Sequence, residues 1–253
     1  MATSIPWTEI KALSFDIFGT LIDWESGIDD AIRASAIAPY VPSSRSQVLE
    51  AMEAHERAVQ VESPELLQRD VVAKGLRRYA EELKIVEEGK LSQEEVDKAA
   101  KEYGNKIGDY PAFPDTIKAI QTLGKHYKLV PVTNVDNENF SRTLSGPLKG
   151  CHFDAIYTAQ DIGSYKPDLA NFQYLLVHIK SDFGVEKDGL CHVAQSLYHD
   201  HRPAKQMGIQ SIWVDRQGIM GQVKESDEDL GFKLRVTSLG ELAEIVTEAF
   251  SKA

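Results

Sequence analysis

The apolar positions along the chain follow two different patterns, and the change comes near residue 110. From residue 24 to about residue 105, apolar side chains recur every three or four positions, which is the spacing of amphipathic helices. Prolines interrupt this region at three places, and Ser92 with Glu95 is typical of a capping box that starts a further helix. We therefore predict an all-helical block without strands.

The second pattern consists of short apolar runs separated by helical stretches. Strands are predicted in the run that ends at Asp16 and at residues 127–134, 153–157, 190–194 and 211–214. Helices are predicted at residues 172–179, 203–207 and 239–250. This alternation is typical of an α/β fold, with a Rossmann-like parallel sheet and helices on both faces.

The helical block interrupts the predicted sheet after its first strand. We expect residues 1–21 and 111–253 to form the core domain and residues 22–110 to form an inserted helical cap. An insertion directly after a catalytic loop is well placed to cover the site and exclude water.

Composition narrows the possible partners. The chain has 253 residues, 42% hydrophobic and 26% charged, and a net charge of −11, which argues against a nucleic-acid surface. No apolar run is long enough to span a bilayer, and the first residues lack the pattern of a signal peptide. Cys151 and Cys191 have no metal or redox spacing, so we expect two free thiols and a cytosolic protein.

The most informative residue is Asp16, which ends the first apolar run. Parallel sheets place their ligand sites at the carboxyl ends of the strands. Gly19 permits a sharp turn, and Thr20 offers a hydroxyl to hold the carboxylate or to cap the next segment. An ionised carboxylate can attack carbon or phosphorus without a base. Taken alone, this pattern is also compatible with a turn aspartate.

Other polar residues follow later strands or lie in a loop between them. Thr133 and Asn134 end the second strand, Tyr165 and Lys166 lie in a loop, and residues 195–201 follow the fourth strand with Gln195 and Asp200. We expect the sheet topology to gather these side chains at one edge.

This order of motifs closely resembles the haloacid dehalogenase superfamily. The resemblance implies that Asp16 is a nucleophile, that Thr133 and Lys166 occupy the second and third motif positions, and that Asp200 supplies the acid of the fourth. It covers nearly the whole chain, with residues 22–110 standing where that superfamily inserts a helical cap.

Within the superfamily, Phe18 separates two branches. Phosphatases have a second aspartate at this position, which protonates the leaving alkoxide, and usually an acid where Gln195 stands. An aromatic residue at position 18 is similar to the type II 2-haloacid dehalogenases, which use no metal. A Mg²⁺ site built from Asp16, Asp200 and a backbone carbonyl remains the alternative.

Four segments also resemble the L-azetidine-2-carboxylate hydrolases of the same branch, at residues 19–25, 111–116, 159–167 and 196–201. Those enzymes open a strained ring at the carbon that bears the carboxylate. The haloacid enzymes have a cap arginine that falls near Ala51 here, with Arg57 one or two turns away, and a tyrosine where Phe172 stands. Ring strain and a protonated amine remove the need for that arginine.

The resemblance assigns roles that compete with simpler interpretations. Lys166 would neutralise Asp16, and the simpler alternative is a solvated loop lysine. Thr133 and the Asn134 amide would bind the substrate carboxylate, although Thr133 also fits a satisfied strand-end threonine. Asp200 would pair with Lys166 or orient the hydrolytic water, and the alternative is an aspartate at a helix start.

The sequence leaves the roles of the other candidate residues more open. Phe18 and Tyr165 are expected to line the substrate site, Gln195 holds water or packs as a buried polar group, and Trp24 roofs the pocket or packs at the cap hinge. His199 and His201 flank Asp200, and surface or capping positions are favoured over metal ligation. His55 and Arg57 are expected on an exposed helix face.

Together these observations predict a metal-independent hydrolase, without cofactor, that acts on Cα of a small 2-substituted carboxylate. The alternatives are a Mg²⁺-dependent phosphatase on a small phosphate ester and a non-catalytic binding protein. A homodimer is compatible with this branch, and no membrane or nucleic-acid partner is expected.

Overall fold

The computed structural model describes residues 5–218 and 230–252 of the chain. These residues form one six-stranded sheet in the order β3-β2-β1-β4-β5-β6, in which every neighbouring pair is parallel. The strands are β1 Ala12–Phe15, β2 Lys128–Thr133, β3 Tyr157–Thr158, β4 Leu190–Ala194, β5 Gln210–Val214 and β6 Leu234–Val236.

The central strands are buried along almost their whole length. All residues of β1 and β4 are buried, which is expected of parallel strands covered on both faces. β1 lies between β2 and β4, so Ser14 is opposite Val130 on one side and His192 on the other. The first strand of the chain is therefore in the middle of the sheet.

Ten α-helices accompany the sheet in the described residues. They are α1 Trp24–Arg33, α2 Arg45–Glu62, α3 Gln68–Glu82, α4 Gln93–Lys106, α5 Thr116–Leu123, α6 Asn137–Ser145, α7 Ala159–Ile162, α8 Leu169–Phe183, α9 Arg202–Gln206 and α10 Leu239–Ser251.

The predicted fold class is confirmed, and the differences are local. β1, β2, β4 and β5 lie within the predicted runs or extend them by one residue. The strand predicted at residues 153–157 is present, but its bounds are wrong: β3 comprises only Tyr157–Thr158, because pairing with β2 begins at Tyr157. β6 and α6 were not predicted: β6 has three residues, and α6 carries too few apolar side chains to show a helical period.

The chain divides into two compact units. The first contains the sheet and comprises the described residues up to Asp23, Ala112–Asn134 and those from Leu148 onward. We call it the core unit. The second, the helical unit, comprises Trp24–Pro111 and Val135–Pro147. The helical unit thus includes α6, a segment beyond the block that the hydrophobic pattern indicated.

Contacts within the helical unit explain why α6 belongs to it. The Gly108 N–H donates to Asn139 Oδ1 at 3.2 Å, and a Cβ on Gly108 would lie 2.8 Å from the Asn139 carbonyl oxygen and from Arg142 Cβ. Only glycine permits this approach. The predicted capping box at the start of α4 is present, with Ser92 and Glu95 bonding each other's backbone N–H.

Two further properties are the apolar character of the helices and the state of the cysteines. Among the described residues, no helix has both the length and the apolar character that crossing a membrane requires. Cys151 and Cys191 are free thiols, and burial raises the pKa of Cys191 to about 12.

Candidate active site

Asp16 is the first residue after β1, at the carboxyl edge of the sheet. Its backbone N–H donates to the Val193 carbonyl of β4 at 3.1 Å, which extends the strand pairing by one residue. Gly19 then adopts a φ of 94°, and its N–H donates to the Ile22 carbonyl at 2.8 Å. This left-handed turn needs glycine and directs the chain away directly after the carboxylate.

Thr20 connects this turn to the neighbouring strand. Its hydroxyl donates to Asp16 Oδ2 at 2.7 Å and accepts from the backbone N–H of Gln195 at 2.9 Å. The first and fourth motifs therefore share one buried hydroxyl. The predicted contact between Thr20 and the carboxylate is present.

Lys166 joins the two acidic motifs. Its Nζ donates to Asp16 Oδ1 and to Asp200 Oδ1, both at 2.7 Å, and the residue is only 2% exposed. The alternative of a solvated loop lysine is excluded by this burial. One ammonium therefore holds two carboxylates at the edge of the sheet.

Asn134 fixes the backbone of Lys166. Its Oδ1 accepts from the Lys166 N–H at 2.8 Å, and its Nδ2 donates to the Lys166 carbonyl at 3.1 Å. The side chain thus positions the lysine, a role that the sequence did not indicate. Contact of Asn134 with a substrate carboxylate stays a prediction.

Asp200 lies in a single π-helical turn, Leu197–His201, that follows β4. Ser196 caps this turn by accepting the His199 N–H at 3.0 Å. Turns of this kind are uncommon and are frequent at functional sites. Asp200 Oδ1 accepts from His192 Nε2 at 2.9 Å as well as from Lys166, and His192 Nδ1 lies 2.8 Å from Ser14 Oγ.

The two carboxylates differ in their electrostatic surroundings. Burial raises the pKa of Asp16 above its ordinary value, the charge of Asp200 adds to the rise, and Lys166 and Thr20 oppose it. Burial acts in the same direction on Asp200, but Lys166 and His192 outweigh it, so the pKa of Asp200 is lowered. Burial favours neutral Lys166, yet its two carboxylate partners raise its pKa.

Arg216 braces the loop behind Asp16. Its guanidinium donates to the Thr20 carbonyl at 2.8 and 3.2 Å and to both oxygens of Asp115, and it lies 4.0 Å from the centre of the Phe113 ring. Planar, bidentate contacts of this type are a property of arginine. The turn that carries Thr20 is thereby fixed from its carbonyl side.

The remaining predicted residues have well-defined places. Thr133 and Gln195 are buried in the core unit, whereas Phe18 and Tyr165 are half-buried there. Trp24 is half-buried at the start of α1 in the helical unit. Their contacts with substrate stay predictions.

The histidines beside Asp200 differ from each other. His199 is half-buried and contacts Ser196, as a capping residue should. The expectation of a surface or capping position is wrong for His201, which is buried with Nε2 on the Ala194 carbonyl at 2.9 Å. Burial lowers its pKa to about 4, so it is a neutral core histidine.

The donor set gives little support to a magnesium ion. Mg²⁺ prefers several oxygen ligands in octahedral geometry. Asp16 and Asp200 each have one carboxylate oxygen bonded to the same lysine. Over the same part of the chain, no group of three or more His, Cys, Asp or Glu side chains has metal-binding geometry.

Sequence reasoning missed three residues of this site: Ser14, His192 and Arg216. Ser14 and His192 face each other across β1 and β4 and are separated by 178 positions in the chain. The only available signal was the polar character of two residues inside otherwise apolar strands. Arg216 gave no signal, since it follows β5 without a motif.

The fold and the site define a class of α/β enzymes with a buried aspartate at the end of the first strand and a lysine bound to it. The model of the haloacid dehalogenase-like hydrolase family matches residues 10–188 of the chain. The protein belongs to this family.

Solved structures support the same fold at low identity. A dehalogenase with an intermediate complex has a TM-score of 0.73 at 19% identity and covers 94% of this chain and 97% of its own. The L-2-haloacid dehalogenase of Xanthobacter autotrophicus with chloropropionic acid covalently bound has a TM-score of 0.69 at 16% identity, with 94% and 98% covered.

A magnesium-bound HAD-hydrolase from Bacillus subtilis is also similar, with a TM-score of 0.69 at 17% identity and 94% and 98% covered. No curated protein matches the chain at a significant level. The similarity in fold to these structures therefore covers most of the chain. At such low identity it does not identify the reaction.

Proposed function

We propose that the protein hydrolyses small 2-substituted carboxylates at Cα through an ester of Asp16, without a metal ion. Asp16 Oδ forms a bond to Cα while the bond from Cα to the leaving group breaks, and the electron pair departs with that group. Water then hydrolyses the ester at Asp16 Cγ. The candidate substrates are a 2-haloacid and L-azetidine-2-carboxylate.

The observation that carries this proposal is the pairing of buried Asp16 with Lys166, together with Phe18 two residues later. Lys166 and Thr20 each bond one oxygen of Asp16, which favours its ionised, nucleophilic form. Phe18 has no proton to give to a leaving alkoxide. A leaving group that needs no acid, such as a halide, suits this arrangement.

Lys166 is already shared by two carboxylates, so we assign the substrate carboxylate to uncharged donors. The Thr133 hydroxyl and the Asn134 backbone N–H are the candidates, because Thr133 ends β2 and Asn134 follows it, on the strand that pairs with β1. Hydrogen bonds from neutral donors hold an anion without adding a net charge to a buried site.

The side chains of the cap residues favour the azetidine substrate over a haloacid. Arg57 Nη2 lies 2.7 Å from Glu53 Oε1 on its own helix, and His55 Nε2 lies 2.8 Å from Glu82 Oε2. Both residues thus have local acidic partners. A protonated ring amine that leaves under strain requires no arginine to receive a halide.

A single-turnover reaction in ¹⁸O-labelled water tests the proposal. With enzyme in excess, the first product should carry an unlabelled oxygen from Asp16, and the label should enter the Asp16 carboxylate because water attacks Cγ. L-azetidine-2-carboxylate and 2-chloropropionate are the substrates to compare. Label in the first product would show direct attack by water and contradict the proposal.

Replacement of Asp16 by asparagine should lower turnover by at least about 10³-fold, since an amide is a poor nucleophile. The folded state should persist, because Asn keeps the size of the side chain. Asp188→Asn is the matched control: it makes the same change at an exposed position of the core unit and should leave turnover unchanged. Full activity of Asp16→Asn would refute the assignment of the nucleophile.

One observation favours a second candidate, a magnesium-dependent phosphatase. Asp200 Oδ2 is buried and has no hydrogen-bond partner among the described residues, and it would be an oxygen ligand for a cation. Turnover of an aryl phosphate that requires Mg²⁺, with label entering the released phosphate, would establish this alternative. Ligand-induced stabilisation without any turnover would instead indicate a binding protein.

A further inference from the structure

The two oxygens of Asp200 have unequal environments. Oδ1 accepts from Lys166 Nζ at 2.7 Å and from His192 Nε2 at 2.9 Å, whereas Oδ2 has no partner within residues 5–218 and 230–252. The Asp200 residue is fully buried. An unpaired buried acceptor is costly and calls for a donor that arrives during function.

The hydrogen bonds of His192 determine which oxygen is left over. Asp200 accepts a hydrogen bond from the lysine as a carboxylate, so His192 Nε2 donates to Asp200 Oδ1, and His192 Nδ1 lies 2.8 Å from Ser14 Oγ. The Phe172 ring meets the imidazole edge to face at a centroid distance of 5.2 Å. These three contacts orient the imidazole, and through it they restrain the Asp200 carboxylate.

We infer that His192 is a positioning residue for the second half-reaction, in which water hydrolyses the Asp16 ester. This inference rests on the proposed function. His192 binds Oδ1 of Asp200 and thereby keeps Oδ2 available as the base for the attacking water. Ser14 supports this role by fixing the imidazole.

The proton balance of this step can be followed atom by atom. The water oxygen bonds to Asp16 Cγ as its proton passes to Asp200 Oδ2. The bond from Cγ to the product oxygen then breaks, and the product alkoxide takes the proton from Asp200. The remaining carboxyl proton on Asp16 leaves to solvent, which restores the carboxylate that pairs with Lys166.

The chain contains a matched control for His192. His201 is equally buried and also pairs with a serine, with Nδ1 3.0 Å from Ser211 Oγ, but its Nε2 bonds the Ala194 carbonyl rather than a carboxylate. Replacement of either histidine removes a buried imidazole and two hydrogen bonds. Of the two histidines, only His192 forms a hydrogen bond with the Asp200 carboxylate in the described part of the chain.

The experiment measures ester formation and ester hydrolysis separately, by rapid quench and intact-protein mass spectrometry with 2-chloropropionate or L-azetidine-2-carboxylate. We expect His192→Leu to form the ester within about 3-fold of the wild-type rate and to hydrolyse it about 10²-fold more slowly. Because only the second step slows, kcat and KM should fall together while kcat/KM is retained.

Three further variants separate positioning from general damage. His192→Gln, whose amide can donate to Asp200 Oδ1, should recover at least about 10-fold of the lost hydrolysis rate. Ser14→Ala should show the same signature with a smaller loss. His201→Leu should lose thermal stability without accumulating ester. Ser14→Ala also keeps the test informative if His192→Leu does not fold.

Two outcomes overturn the inference alone: wild-type hydrolysis rates in the folded His192 variants, or equal ester accumulation in His201→Leu. A failure of the wild-type enzyme to form any ester on Asp16 with either substrate would overturn the proposed function and this inference together.

Discussion

Each compact unit of the protein buries a carboxyl group, and the two groups respond to burial in opposite ways. In the core unit, Asp200 lies beside Lys166 and His192, and its pKa is lowered. In the helical unit, Glu56 is 7% exposed, and its carboxyl group accepts a hydrogen bond from Tyr103 Oη at 3.4 Å. Burial raises the pKa of Glu56 to about 8.

The difference teaches what Lys166 contributes. Both carboxyl groups lose the stabilisation that water gives to a charge. Asp200 regains it from an ammonium at 2.7 Å, whereas Glu56 has no cationic partner among the described residues and a further acid, Glu53, nearby. The surroundings of Asp200 therefore favour a buried charge, whereas those of Glu56 favour a neutral acid.

Removal of Lys166 should abolish the difference between the two buried carboxyl groups, and it should have the largest effect on stability of the variants considered. In Lys166→Met, Asp16 and Asp200 lose their shared cation, so the free energy of unfolding should fall by about 3–5 kcal/mol at neutral pH, and turnover should be lost. Part of the stability should return in acid, where the carboxylates take up protons. Chemical denaturation at several pH values measures this effect.

Lys128→Met is the control for the lysine. Lys128 also lies 2.7 Å from an aspartate, Asp154, but its side chain is 51% exposed. Because exposed ion pairs contribute little, this variant should lose no more than about 1 kcal/mol. Equal losses in the two variants would mean that the buried pairing of Lys166 is not what stabilises the core unit.

Glu56→Gln tests the other carboxyl group of the comparison, the one whose pKa is raised. Between pH 4.5 and about 8, the folded protein keeps a proton on Glu56 that the unfolded chain has lost, so stability should fall as pH rises, by about 1.4 kcal/mol per pH unit. Above pH 8 this contribution becomes constant. The variant lacks the titrating group and should lose this slope.

The measurement is the unfolding free energy as a function of pH, with Glu102→Gln as the control. Glu102 is exposed on α4, next to Tyr103, so its replacement should preserve the wild-type pH dependence. A slope that persists in Glu56→Gln would assign the pH dependence to another group.

The smallest effect is expected for Asn134→Ala. This change removes two hydrogen bonds to the backbone of Lys166 and should cost about 1–2 kcal/mol of stability. It should also lower kcat, because the ammonium is then less well positioned. The control is Gln121→Ala, which removes an exposed hydrogen bond from a side-chain amide to the Gly150 carbonyl. It should change stability by less than about 0.5 kcal/mol. Equal effects would remove Asn134 from the positioning of Lys166.

The contiguous apolar strands were predictable because each is a run of buried residues next to a clear turn. The polar helix α6 and the three-residue strand β6 were not, since their stability comes from packing that has no local pattern. The same reason explains the error at β3, where the pairing with β2, rather than the apolar run, sets the start at Tyr157.

The site divides in the same way. Asp16, Lys166 and Asp200 were predictable because they occupy ends of strands or a recognisable motif. Their surroundings were not, because hydrogen bonds such as that between Ser14 and His192 join positions far apart in the chain. His201 was misplaced for a related reason: local sequence gives the type of a side chain but not the layer of the fold that covers it.

The central position of β1 has a consequence for how the protein is made. β1 is synthesised before both of its neighbours in the sheet, which begin at Lys128 and Leu190. The residue that we propose as the nucleophile therefore waits, during synthesis, for partners that emerge much later. A nascent chain that stops before β4 lacks the strand that pairs with β1 on one side, so the proposed site can form only after β4 has been translated.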